Sequence, residues 1–217
     1  MPDRGDWIPG MTAARAWDRA FRFVGDPSIG YHLGAGGADP WAITPAAAHW
    51  KTGIVGLDCS GYVAFAWGMR RKLDESVLAA WGGYVCCDSI VADARGPRQL
   101  FEPIARPEFG ALVVYPGVDL DGDSDRDRIG HVAMIGPALP AEWNERAPDF
   151  ELLQVAHCSG NNWKHWPAGV GSDRRRSPAV AVTTGRLFNQ KSVIEWRGKT
   201  LRDKRWASLM VRVKPLG

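Results

Sequence analysis

Cys59 stands in the stretch Leu57-Asp58-Cys59-Ser60-Gly61, directly ahead of an apolar run that reads as a helix. A cysteine in the first turn of a helix faces backbone N–H groups that the helix does not use and the positive end of its dipole, and both favour the thiolate. A free thiol titrates near about 8.5, and such surroundings bring it to roughly 3.5–7.5, where it is a ready nucleophile. Asp58 fits as the N-cap acceptor, and Ser60 and Gly61 keep the first turn small enough for a carbonyl to approach the Cys59 backbone N–H. The competing reading is a small buried hydrophobe. A thiolate nucleophile also needs a base, and His131 opens the run HVAMI. On a strand, His131 shares a face with Ala133 and Ile135, while Val132 and Met134 point the other way. In VAHCSG, His157 and Cys158 then face opposite sides of the sheet. If His157 lies beside His131 on an adjacent strand, it can hydrogen-bond that imidazole and fix its tautomer, the part an Asp or Asn plays in other triads. Cys59, His131 and His157 thus offer nucleophile, base and orienting group for acyl transfer.

Elements to hold these residues are legible on either side. Residues 12–24 place Ala13, Trp17, Ala20, Phe21 and Val24 at helical spacing behind Thr12 as N-cap, which predicts an amphipathic first helix covering one side of the core. Residues 25–56 are rich in Gly, Pro and Ala and read as an irregular loop. The helix that opens at Cys59 is expected to run to about Arg71, with Val63, Ala66, Trp67 and Arg70 on one stripe and basic residues in the last turn. One or two short helices are expected around DESVLAAW and DSIVADA within residues 74–95. Beyond them, ALVVY, HVAMI, ELLQVAHC, AVAVTT, SVIEW and SLMVRV are short β-rich runs separated by turn residues. Helices first and strands afterwards, without βαβ alternation, predict an α+β domain with an antiparallel sheet.

Composition narrows the classes. A chain of 217 residues with 45% apolar content suits one globular domain with a substantial core. A net charge of +3 is too mild to imply nucleic acid, although it would not repel an anionic polymer such as cell wall. The four cysteines, at 59, 86, 87 and 158, lack the CxxC spacing of a zinc site and are too few for a disulfide scaffold, so free thiols are expected. The start MPDRGDWIPG has charges where a signal peptide has its apolar core, and no run of eighteen apolar residues occurs, so no membrane segment is expected. The eleven tryptophans read mostly as core.

With DCSG at a helix start, a strand beginning with His131 and a polar residue, His157, on the next strand, the chain resembles the NlpC-type cell-wall cysteine peptidases. The resemblance covers roughly residues 28–160, in the family's order. It implies a papain-like fold over residues 1–217, with N-terminal helices packed on a central antiparallel sheet and C-terminal strands completing it. In GYHLGAGG, Tyr31 with Gly34, Gly36 and Gly37 corresponds to the family's tyrosine loop, which implies that the Tyr31 hydroxyl sits over the nucleophile and contacts substrate or oxyanion. Where the family reads G-D-L, this chain has Gly110, Ala111 and Leu112, and an insertion around residues 137–150 lengthens the interval between His131 and His157. The activity implied is cleavage of peptide bonds in peptidoglycan stem peptides through a thioester, commonly next to D-glutamate or meso-diaminopimelate, with no metal or organic cofactor. Peptidoglycan or muropeptide is then the partner, joined by an immunity or delivery protein if the enzyme is a bacteriolytic effector that reaches the wall without a signal peptide. An acyltransferase or protein deamidase could use the same Cys and His, and a non-catalytic wall-binding module could keep the core for shape.

Asp58 and Ser60 are grouped with Tyr31 as residues near the substrate or oxyanion, and Trp163 and Trp166, flanking His165, are candidates for a substrate groove. The aspartates of residues 119–127 resemble a calcium loop but no register supplies Gly at the sixth position and a closing Glu, so a solvated acidic hairpin is expected. Cys86 and Cys87 have no evident base and read as packing, and Arg174, Arg175 and Arg176 as a solvated turn.

Overall fold

A computed structural model of the chain describes residues 7–26, 29–31, 55–117, 130–139, 150–159, 179–188, 193–196 and 209–214. The loop glycines 34, 36 and 37, the acidic segment 119–127, the arginines 174–176 and the aromatic cluster Trp163, His165 and Trp166 lie outside them. The described elements are α1 (Ala13–Phe21), β1 (Ile29–Tyr31), β2 (Val55–Leu57), α2 (Cys59–Ala66), α3 (Cys87–Arg95), β3 (Phe101–Pro103), β4 (Leu112–Tyr115), β5 (His131–Ala138), β6 (Phe150–Cys158), β7 (Val180–Phe188), β8 (Val193–Trp196) and β9 (Leu209–Val213), with a 3-10 turn at Ala79–Trp81. The class is α+β. Seven strands form one sheet in the order β3-β9-β4-β5-β6-β7-β8, and every neighbouring pair is antiparallel.

Period-two alternation divides the strands between two apolar clusters. Leu112, Val114, Val132, Met134 and Ala156 join the helices in the larger one. Ala111, Val113, Ala133, Ile135, Leu153, Val155 and Met210 form the other. The alternation expected at β5, with Ala133 and Ile135 opposed to Val132 and Met134, is therefore present.

α2 departs from expectation in length and in exposure. All eight of its residues are buried, so it has no polar face and no stripe. It is a central helix gripped from several directions: Tyr62 Oη donates to the Ala20 carbonyl of α1 at 3.0 Å, and just past the helix Trp67 Nε1 donates to the Gly110 carbonyl at 3.2 Å. It ends at Ala66 because Gly68 turns the backbone into the left-handed region, φ +66°, and Met69 N–H returns to the Ala64 carbonyl at 2.8 Å. Arg70 and Arg71 thus fall beyond the helix, which has no basic residue in its last turn. In α1, Thr12 caps as expected, its side chain accepting from Arg15 N–H at 3.3 Å, but Ala16 and Ala20 form the buried face and Phe21 is 54% exposed. The stretch expected to be irregular holds β1 and β2 at its two ends, paired in parallel with Tyr31 beside Leu57. β9, the last of the described strands in sequence, inserts between β3 and β4. Among the described residues no helix is long and apolar enough to cross a membrane.

Gly110 fastens α1 to this sheet. Its φ is +82°, and an added Cβ would stand 2.5 Å from the Ala13 Cβ, whereas Gly82, φ +57°, has nothing within 4 Å of such a Cβ. Left-handed backbone costs a non-glycine residue about 1–2 kcal/mol, and overpacking adds about 1–3 kcal/mol. Gly110→Ala is therefore expected to lower Tm about 1.5 to 4 times as far as Gly82→Ala in parallel thermal melts, at roughly 2–4 °C per kcal/mol for a chain of this size.

Candidate active site

β2 leads through Asp58 directly into α2, and the Asp58 carboxylate fixes where the helix starts. Its backbone is extended, and Oδ1 accepts from Gly61 N–H at 2.7 Å, a side-chain cap of the first turn. Ser60 Oγ donates to the same oxygen at 3.1 Å. Arg71, delivered by the early end of α2, bonds Asp58 Oδ2 at 2.5 Å and donates to Ser60 Oγ at 3.0 Å, with its guanidinium 4.8 Å from the centre of the Tyr84 ring. Both ions are buried, so each depends on the other to offset its lost hydration. Burial works against the Arg71 charge, but Asp58 outweighs it and raises the guanidinium above its ordinary value. Asp58 and Ser60 are therefore committed to this buried cluster. They position the start of α2, a buried role that differs from their expected grouping with Tyr31.

Cys59 is the first residue of α2 and, at 3% exposure, is buried in the helix-side apolar cluster, as the competing reading of a small hydrophobe requires. Its sulfur lies 3.8 Å from Cys87 Sγ and 4.0 Å from the carbonyl oxygen of Gly130, the residue before His131. The thiol is held well below its ordinary value, first by the hydrogen bond with Cys87 and then by the charge of His131 and a hydrogen bond with it, against opposition from burial and from the Asp58 charge. Cys87 and Cys158 move the other way. Cys87 is raised by its bond to Cys59 and by burial, and Cys158 chiefly by burial. All four cysteines are free thiols, as expected, and Cys158 donates to the Leu57 carbonyl at 3.4 Å.

The two histidines meet because of strand register. β5 and β6 pair Met134 with Ala156 and Ile135 with Val155, which makes His131 and His157 diagonal neighbours on one face. Their rings lie edge to face, interplanar 87°, with His131 Nε2 3.0 Å from His157 Nδ1. That contact engages Nε2, and the His131 side chain also hydrogen-bonds the Cys59 thiol. β6 and β7 pair Val155 with Thr183 and His157 with Ala181, so Thr183 is the next diagonal step, and its Oγ1 is 3.3 Å from His157 Nε2. Cys158, one residue on from His157, points into the helix-side core, as alternation requires.

Donor and acceptor roles follow from the chemistry. When both ring nitrogens of His131 carry protons, His157 Nδ1 accepts and His157 Nε2–H donates to Thr183 Oγ1. Cys59, His131, His157 and Thr183 form one polar chain running from α2 across β5, β6 and β7. Tyr31 sits beside Leu57 in the β1–β2 pair, and burial, then the charges of Cys59 and Asp58, push its hydroxyl up, so it remains a hydrogen-bond donor. Tyr115, opposite His131 in the β4–β5 pair, is raised in the same way by burial and by Cys59.

The structure thus gathers Cys59, His131, His157 and Tyr31, and adds Arg71, Cys87 and Thr183, none of which the sequence marked for function. Arg71 reads locally as the basic end of a helix, and Cys87 lies 28 positions from Cys59. Thr183 is in phase with His157 only once the β6–β7 register is known. Among the described residues no group of three or more His, Cys, Asp or Glu side chains could hold a metal ion. Comparison of the chain with family models, with curated proteins and with solved structures returns no match.

Thr183→Val removes the acceptor that fixes the His157 tautomer. A neutral hydrogen bond contributes about 0.5–1.5 kcal/mol, so the pH at which Cys59 loses reactivity toward an alkylator should rise by about 0.5–1 unit, with Thr183→Ser restoring the wild-type profile. The alkylation rate of Cys59 against pH checks this.

Proposed function

We propose that the chain is a cysteine peptidase or amidase with a papain-like core, acting on peptide bonds of peptidoglycan stem peptides as the NlpC-type enzymes do. The observation that carries the reading is the Cys59 thiol at a helix start, lowered below its ordinary value by Cys87 and by the charge and hydrogen bond of His131, with His157 bonded to the same imidazole. A thiolate–imidazolium pair with an oriented base is the arrangement acyl transfer needs, because attack and protonation of the leaving group occur at adjacent atoms. The substrate class rests on the resemblance of the motifs around Tyr31, Cys59, His131 and His157.

In this reading Cys59 Sγ attacks the amide carbonyl carbon. The developing oxyanion takes hydrogen bonds from the Cys59 backbone N–H, a first-turn donor, and from the Tyr31 hydroxyl. The His131 imidazolium gives a ring proton to the departing amine as the C–N bond breaks, leaving a thioester. The neutral imidazole then takes a proton from water, which attacks the thioester and releases the acid and the Cys59 thiolate, with the proton back on His131. His157 keeps the imidazole in the plane and tautomer that both transfers require, and Thr183 fixes His157 in turn.

Muropeptides digested with wild-type protein and analysed by mass spectrometry should show cleaved stem peptides, and Cys59→Ala should retain the fold and lose all turnover. Intact muropeptides with the wild type, or cleavage undiminished in Cys59→Ala, would end the proposal. Deamidated or acyl-transferred products in place of cleaved ones would point to a different reaction of the same pair.

A further inference from the structure

We propose that Cys87 is a further catalytic residue, whose S–H donates a hydrogen bond to Cys59 Sγ and stabilises the anionic nucleophile; the proposal rests on reading Cys59 as that nucleophile. The two sulfurs are 3.8 Å apart, and both residues are buried, at 3% and 7% exposure. Cys87 is held there by more than chance packing. It opens α3, whose start is fixed by the Cys86 N–H bond to Ser89 Oγ at 2.9 Å. Asp88 accepts from Gly117 N–H at 2.9 Å, tying the same turn to the segment that follows β4. Gly130 completes the fit, because a Cβ there would stand 2.8 Å from Cys87 Cβ and 2.7 Å from the Tyr115 carbonyl oxygen. The glycine before the base is thus what lets the α3 thiol reach the nucleophile.

Either sulfur could donate on distance alone, and the surrounding charges decide. The titratable groups acting on or close to Cys59 are Asp58 at its cap, Tyr31 on β1, Tyr115 on β4, His131 on β5, Cys158 on β6 and Cys87 on α3, with Arg71 compensating Asp58. The imidazole acts on Cys59, whereas the groups acting on Cys87 are Cys59, Asp58 and Cys86, all of which favour retention of its proton. Cys87 therefore carries the hydrogen and Cys59 the charge. A thiolate removed from water needs donors, and the bond from Cys87 is one that desolvation by substrate would not strip away.

The test is the pH dependence of Cys59 alkylation by iodoacetamide in the full chain, located by peptide mapping, for wild type, Cys87→Ala, Cys87→Val and Cys87→Ser. Ala and Val remove the donor at two side-chain sizes, and Ser keeps it. Donation to a charged group is strong enough that Ala and Val should slow alkylation about tenfold below neutral pH and leave it unchanged above the ordinary thiol value, with Ser within about threefold of wild type. Profiles of Ala and Val that coincide with wild type would overturn the proposal, as would alkylation of Cys87 before Cys59 or a Cys59 inert at every pH. The assay uses no peptidoglycan, so a shifted profile beside uncut muropeptides would sink the hydrolase reading and leave this one standing.

Discussion

An anion can be kept in a protein interior only if a cation or several donors are held against it, and the seam between the start of α2 and the start of β5 meets that condition for Cys59. The imidazole of His131 supplies the charge, and the thiol of Cys87 supplies a donor. Burial and the neighbouring Asp58 both oppose the thiolate. Asp58 is nevertheless needed, since its carboxylate caps the turn that carries the sulfur, and Arg71 balances its charge from the opposite side. The arrangement places the His131 imidazole against the Cys59 thiol and the Arg71 guanidinium against the Asp58 carboxylate.

Rigidity around the seam follows from how completely α2 is enclosed. A helix with no exposed residue cannot tilt without disturbing α1 through Tyr62, the segment before β4 through Trp67, and the sheet itself. His131 is equally constrained, since its ring is bonded to His157 and its strand is paired on both sides, to β4 and β6. Sites built on strands and buried helix ends hold their geometry better than sites on loops, which suits chemistry that depends on sulfur and imidazole staying in contact.

How much of this the sequence revealed depended on the range of the interaction concerned. The cap at Asp58 was legible in DCSG because capping is decided within four residues, and the opposite facing of His157 and Cys158 was legible because strand alternation is local. The length of α2 was not, since a helix buried on every side has no hydrophobic stripe to measure, and its end is set by the backbone turn at Gly68. The pairs Arg71–Asp58 and Cys87–Cys59 close over 13 and 28 positions, beyond any pattern a single chain displays. Placing β9 between β3 and β4 needs the whole chain, and the parallel pair β1–β2 brackets a stretch whose glycines and prolines concealed it.

The central claim is that Cys59 rests as a thiolate, and the ultraviolet absorbance of thiolate reports it without substrate or reagent. Titrated from acid to neutral pH, the folded protein should show a first absorbance step well below the free-cysteine value of about 8.5, absent from Cys59→Ala. A first step at or above that value, or one that persists when Cys59 is replaced, would contradict the account.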